Sequence, residues 1–309
     1  MFDVIVIGLG CAGYTSAIYC ARYKLNTLIV GEIEGGMGMT AAEVGNWPGE
    51  IDIKGPDLME KFKAHALSFD NVTHKALRVV KVEAIEGGLF RIAYQDGNAD
   101  EARAIIFATG SDKRHLGIPG EKEFSGKGVT YCATCDAFFY KGKDVAVIGG
   151  GDSAVEGAAI AAQVARKVYL IYRKKGFKAE PYWVDEVKKK QNVEFVPERN
   201  VAEVLGDKVV SSVRLDKEYN GSDEIKVSGV FIEIGSLPSV DLAIGIGCDL
   251  DDRGYIKVAD DMATNVKGIF AAGDVAGASN HFSQFTTAAG EGAVAANGVF
   301  GYLQMIENQ

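Results

Sequence analysis

"VIVIGLGCAG", residues 4–13, and "VAVIGGGDSA", residues 145–154, are one pattern used twice. Each is an apolar run of strand character, then a glycine-rich turn, then a run of helical character: "YTSAIYCARYK" after the first and "VEGAAIAAQVARK" after the second. The first turn carries Gly8, Gly10 and Gly13 in GxGxxG spacing; the second carries Gly149, Gly151 and Ala154, with Asp152 and Ser153 inside it. Glycine is needed here for a tight turn and for close approach of backbone to a pyrophosphate, whose charge is met by N–H groups at the helix N-terminus. One such spacing is a weak signal. Two, each between a strand and a helix, predict an α/β protein with two Rossmann-like dinucleotide-binding domains.

A ribose-binding group belongs at the end of the next strand of each unit. Glu32 follows "TLIVG" and Arg173 follows "VYLIY", at the same distance from the first glycine of their units. A carboxylate accepts hydrogen bonds from a ribose hydroxyl. Arg173, with Lys174, Lys175 and Lys178, suits a 2′-phosphate instead. The first site is therefore expected to take an unphosphorylated adenosine ribose and the second NADPH; a lone "RKK" would read as a solvated loop.

Three later apolar runs each end in glycine or just past one: "IIFATG" (105–110, with Thr109 and Gly110), "GVFIEIG" (229–235) and "GIFAAGD" (268–274, with Gly273 and Asp274). They are expected to close the two domains, two of them in the first, which the second then interrupts. The domains read as 1–117 with 241–309, and 118–240 inserted. "LGIPGE" and "GSLPS" supply glycine and proline for hinges at the crossings. Asp274, at a strand's C-terminal end, is placed either to bind a ligand or to cap a turn.

Composition removes other classes. A chain of 309 residues fits two domains of about 150 residues each. A net charge of -9 and a pI near 5.1 disfavour nucleic acid and anionic membranes. Residues 4–21 carry no charge, but their glycines and hydroxyl side chains, and the absence of a basic leader, argue for strand, turn and helix over a span or signal. With no export signal and five cysteines, a reducing cytoplasm is the expected compartment.

"YCATCDAFFY", residues 131–140, places Cys132 and Cys135 two residues apart, with Asp136 directly after them. Zinc needs two further ligands, and the other cysteines (Cys11, Cys20, Cys248) and the four histidines are scattered; the three cysteines read as small buried side chains. Redox exchange needs only the pair. One thiolate attacks a partner disulfide, the second resolves the mixed disulfide, and the pair must then be reduced again. NADPH can give a hydride and a flavin can hold two electrons, so the two nucleotide sites supply a source. Asp136 is a candidate acid or base for the thiols, or a turn cap.

These residues carry a resemblance to the low-molecular-weight thioredoxin reductases. It runs nearly end to end through "EVGNWPG" (43–49, with Asn46), "CATCD" (132–136), "GGGDSAVE" (149–156), "YRKKGFKA", "GYIKV" (254–258) and "AAGDV" (271–275). The resemblance implies FAD in the first domain, NADPH in the second, and a homodimer that reduces a thioredoxin. It also implies that Cys135 faces the flavin while Cys132 attacks the partner. Four places depart from the family pattern. Cys11 stands where proline is usual. Met37 follows Gly36 in "GGMG" where an amide is usual. Tyr172, Arg173 and Lys174 stand for His-Arg-Arg, and Ser283 stands for an arginine before Gln284.

Two alternatives remain open on sequence. One is a related flavoprotein served by ferredoxin or a deazaflavin, or serving a peroxiredoxin or glutaredoxin-like partner; the relative that reduces peroxiredoxins carries an extra N-terminal domain, whereas Met1 here leads into the first strand. The other is a redox sensor without turnover. A further expectation is that the inserted domain rotates in each cycle, because dithiol and nicotinamide must both reach one flavin.

Overall fold

The structure is a computed structural model and describes residues 1–41 and 43–308. In chain order the elements are β1 (Phe2–Ile7), α1 (Cys11–Arg22), β2 (Thr27–Gly31), α2 (Gly55–Leu67), β3 (Val72–Ala76), β4 (Val79–Ile85), β5 (Leu89–Tyr94), β6 (Ala99–Phe107) and β7 (Ser111–Lys113). Next come β8 (Val129–Thr130), α3 (Ala133–Asp136), β9 (Asp144–Ile148), α4 (Asp152–Ala161), β10 (Lys167–Tyr172), α5 (Pro181–Lys188), β11 (Val193–Pro197), β12 (Val201–Gly206), β13 (Val210–Tyr219), β14 (Ser222–Lys226) and β15 (Gly229–Ile232). β16 (Ser236–Pro238), α6 (Asp241–Gly245), β17 (Ile269–Ala271) and α7 (Phe285–Glu307) complete the chain.

The elements fall into two units, Met1–Asp112 with Pro238 onward, and Lys113–Leu237. In the first, the sheet order is β3-β2-β1-β6-β5-β4, with β17 also paired to β6. β1, β2, β3, β6 and β17 run parallel, and β4 and β5 add an antiparallel meander. β1 is apolar from Val4 to Ile7 because a parallel strand is covered on both faces. Val4 and Val6 enter a core with Tyr14 and Ala17 of α1 and Ala295 and Val299 of α7, while Ile5 and Ile7 enter one with Val82, Phe90 and Ile92 of the meander. α7 lies close on α1: a Cβ on Gly292 would stand 2.4 Å from the Ala12 carbonyl oxygen.

The second unit has an all-parallel sheet, β11-β10-β9-β15-β8. Val145 and Val147 face α4 and α5, and Ala146 and Ile148 face the antiparallel sheet β12-β13-β14, which contributes Val204, Val213 and Leu215. No helix among the described residues is long and apolar enough to cross a membrane.

The units divide at 112/113 and 237/238, five and three residues before the boundaries read from sequence at 117/118 and 240/241. Glu121 is the physical reason at the first crossing. Its buried carboxylate accepts the N–H groups of Leu116 (3.0 Å) and Gly117 (2.6 Å) and the Tyr131 hydroxyl (3.0 Å). Burial opposes its ionisation, but these donors prevail and hold the carboxyl below its usual range. A Cβ on Gly120 would stand 2.0 Å from the Val204 carbonyl oxygen of β12. The segment expected as a hinge is thus fastened inside the second unit. At the crossing itself β7 pairs with β16.

Candidate active site

In the first unit β1 delivers Gly8 to a position only glycine can hold. Its φ is +128°, and a Cβ would stand 2.0 Å from the Ala108 carbonyl oxygen. A Cβ on Gly13 would meet the Gly8 carbonyl oxygen at 2.0 Å, so helix and turn touch through bare backbone. Gly10 is different. It caps α1 at an ordinary φ of -89°, and no atom lies within 4 Å of where its Cβ would be. No packing or backbone constraint from the described residues requires glycine there, and no side chain caps the helix. Open space over uncapped helical N–H groups fits a pyrophosphate.

Other sequence-marked residues gather around that turn. A Cβ on Gly36 would stand 3.5 Å from the Gly10 Cα. Gly273 reaches the first turn of α1, its added Cβ 2.8 Å from the Ala12 Cβ, and its N–H donates to Glu291 Oε2 at 2.8 Å. Asn46 Nδ2 donates to Gln284 Oε1 at 2.9 Å, joining two residues far apart in sequence, and Gln284 caps α7. Asp274 lies past the end of β17 and accepts the Ser283 hydroxyl; burial raises its carboxyl above the usual range. Cys11 opens α1, and its thiol donates to the Phe285 carbonyl at 3.3 Å. Burial raises that thiol to about 12. Glu32 follows β2 with an exposed side chain, its carboxylate 3.7 Å from Arg78 Nε. Thr109 donates its hydroxyl to the Ser239 carbonyl (2.8 Å), and Gly110 follows at a φ of +66°.

The second unit repeats the construction. Gly149 has a φ of +142°, and its Cβ would stand 2.0 Å from the Glu233 carbonyl oxygen. Gly151 caps α4 at a φ of -98° with open space above it, and Ala154 is buried. Asp152 accepts the Glu180 N–H at 2.6 Å, and Ser153 is exposed beside it. Arg173, Lys174 and Lys178 are exposed on the loop after β10. Phe177 anchors that loop against Tyr172, ring centroids 4.4 Å apart, and Lys178 N–H donates to the Gly150 carbonyl at 2.7 Å. The basic loop therefore folds back onto the glycine turn, with no ion pair to these three residues among the described ones.

Cys132 and Cys135 form a disulfide spanning the turn of α3. Cys132 is its N-cap, and its Sγ accepts the Cys135 N–H at 3.2 Å. α3 lies on α4, where a Cβ on Gly157 would come within 2.8 Å of the Ala133 Cβ. The dithiol and the second glycine turn thus share one scaffold. Asp136 accepts the Thr130 hydroxyl, whose oxygen accepts the Cys132 N–H at 3.3 Å. Cys11, Cys20 and Cys248 are free and buried. The sequence reading missed Glu233 and Glu291, acids that a charge pattern assigns to the surface; their position just past a closing strand and within a helix rich in alanine and glycine was the available signal.

Residues 2–292 match the pyridine nucleotide-disulphide oxidoreductase family. A thioredoxin reductase of Listeria innocua is 40% identical over 310 residues, covering 99% of this chain and 95% of that protein. Among solved structures, a Lactococcus lactis thioredoxin reductase described as the FR conformation superposes with a TM-score of 0.93 at 34% identity, covering 99% of this chain and all of its own. The thioredoxin reductase of T. acidophilum gives 0.90 at 34% identity with 99% of both chains covered.

Proposed function

Since the chain belongs to the pyridine nucleotide-disulphide oxidoreductase family, and within it to the thioredoxin reductases, we propose that it reduces the disulfide of a thioredoxin or thioredoxin-like protein with electrons from NADPH by way of FAD. The observation that carries this reading is the Cys132–Cys135 disulfide built onto the helix of a second glycine turn, α4.

The open positions over Gly10 and Gly151 favour one dinucleotide in each unit. Glu32 would hold the ribose of FAD, with Gly36, Asn46, Thr109, Gly110, Gly273, Asp274 and Gln284 around the remainder of the cofactor. Gly149, Asp152, Ser153 and Ala154 would cradle NADPH, and Arg173, Lys174 and Lys178 would pair with its 2′-phosphate. When bound, the two cofactors supply a two-electron path from nicotinamide to the disulfide. The disulfide takes up two electrons and two protons. The Cys132 thiolate then attacks the partner's disulfide, and Cys135 displaces the partner as a dithiol while the Cys132–Cys135 bond re-forms. Asp136 is the residue proposed to carry the proton. A homodimer belongs to the same reading, and a reduced dithiol suits the cytoplasm.

The visible spectrum of the purified protein, followed by NADPH under anaerobic conditions and then by oxidised thioredoxin, tests the reading. The expected result is a yellow protein, bleached by NADPH and recoloured by thioredoxin. A yellow protein bleached only by reduced ferredoxin or a reduced deazaflavin would replace the donor, and one indifferent to thioredoxin would replace the partner.

A further inference from the structure

Glu233 stands directly after β15, at the ligand-binding end of a parallel sheet, and is 6% exposed. Its N–H donates to the Ile148 carbonyl at 2.9 Å, extending the strand pairing, and its carbonyl fills the space that glycine leaves at 149. Its side chain runs elsewhere. Oε1 accepts the N–H of Ala133, the first residue of α3, at 3.0 Å, and Oε2 accepts Lys113 Nζ at 2.9 Å. Ala133 lies between the two cysteines and is fully buried. A neutral amide would satisfy that N–H equally well. A buried carboxylate is a costly choice there, sustained by a lysine from the far end of the unit.

We propose that Glu233 is a positioning residue for the dithiol: its carboxylate, fixed by Lys113, takes the first N–H of the dithiol turn and sets how readily Cys132 ionises. A negative charge held on the N–H of the residue after Cys132 opposes a second one on the Cys132 sulfur. Lys113 offsets part of that opposition. Burial pushes the Glu233 carboxyl up, while Lys113 and the Ala133 N–H act to keep it ionised. The other ionisable groups on adjoining elements include Asp136 in the same turn, Tyr140 after it, Asp152 and Glu156 on α4, Asp144 on β9, Asp112 beside Lys113, and Glu121 with Tyr131 and His115 on the segment leading in. Restraining Cys132 this way keeps the dithiol a strong reductant, because a reduced form with little thiolate is less stabilised. The inference deepens the reading of Cys132 as the attacking thiol.

The test uses the full-length flavin-loaded protein, reduced with dithiothreitol. The pH profile of iodoacetamide alkylation at Cys132 is read by mass spectrometry and needs neither NADPH nor thioredoxin. A wild-type protein that fails to turn over with those two would overturn the functional reading and leave this profile interpretable. Glu233→Gln is expected to raise the alkylation rate below the midpoint about tenfold, one pH unit, and to raise the dithiol potential by up to about 30 mV for a tenfold change in the exchange constant. Lys113→Met is expected to move the midpoint up, and to lose that effect in the Glu233→Gln background, since the lysine acts through the carboxylate. An unmoved midpoint in Glu233→Gln overturns the proposal. So does a Lys113→Met shift of equal size with and without the carboxylate, or the same downward shift in all three variants, which is the pattern of general loosening.

Discussion

Asp136 accepts the hydroxyl of Thr130, and that hydroxyl oxygen receives the N–H of Cys132, so the carboxylate that follows the dithiol is tied back to a residue two positions before it. A carboxylate held this way has a fixed position in the dithiol turn, as a proton carrier requires. Asp136→Asn is expected to slow thioredoxin reduction by about a hundredfold or more while leaving reduction of the flavin by NADPH at its wild-type rate. Thr130→Val, which keeps the acid but frees it, should cost less, about tenfold. Stopped-flow measurement of the two half-reactions separates the cases, and an equal loss in both halves for Asp136→Asn would assign the residue a structural role.

Gly8 and Gly10 sit two residues apart and are glycine for different reasons. Alanine at 8 collides with backbone at 2.0 Å and needs a positive φ, and it is expected to cost more than about 4 kcal/mol and yield little folded protein. Alanine at 10 meets nothing, so its cost to the apoprotein should be only the weaker capping preference, about 1 kcal/mol. Its effect should fall on FAD retention, and that of Gly151→Ala on NADPH binding alone. Flavin content and urea midpoints of the three variants check this.

Arg173 has no carboxylate partner among the described residues, and Phe177 holds its loop against the sheet. Arg173→Ala is expected to weaken NADPH binding about tenfold to a hundredfold and to change NADH binding little, since a charge-assisted contact of roughly 1.5–3 kcal/mol is lost only with the phosphorylated ribose. Titration of both nucleotides against the oxidised protein measures the ratio.

The doubled glycine turns, the ribose-end residues and the dithiol are legible in sequence because each depends on close spacing along the chain. Glu233 meets Ala133 across 100 residues, and Asn46 meets Gln284 across 238; no local pattern encodes either pairing. The offset of the boundary near Gly117 has a related reason. Glycine and proline announce a bend, but whether it works as a hinge depends on Glu121, whose role lies in the orientation of a buried side chain. The β4-β5 hairpin carried a signal in Gly87 and Gly88, both at positive φ, though with a longer connection than the tightest hairpins use.

Buried thiols make the protein sensitive to alkali. Burial raises Cys11 from an ordinary 9.0 to about 12, and Cys20 moves the same way. Below pH 9 both states keep the proton and the thiols contribute no pH dependence. Between pH 9 and 12 the unfolded chain releases a proton that the native state retains, so stability falls as pH rises, by about 1.4 kcal/mol per pH unit per thiol. Cys11→Ala should flatten that slope by one thiol's share in urea unfolding between pH 9 and 10.5. A slope unchanged by the substitution would place the alkaline sensitivity elsewhere.

The dithiol and the second glycine turn lie in the unit Lys113–Leu237, whereas the first glycine turn, Asp274 and Gln284 lie in the other. If FAD occupies the first unit, the nicotinamide and the disulfide have to approach the same ring from one body, and Cys132 must afterwards meet a protein partner. One fixed arrangement cannot serve all three contacts, so the reading requires the units to turn against each other in every cycle. The crossings suit that demand: Gly110 and Gly235, at φ of +66° and +93°, stand just before β7 and β16, where a few residues can absorb a large backbone change. A bifunctional reagent that joins the two units, with the linkage verified by mass spectrometry, is expected to stop turnover while FAD stays bound. Cleaving a reversible form of the linker should restore it. Turnover at the uncross-linked rate by a fully joined protein would show that electrons travel through a single conformation.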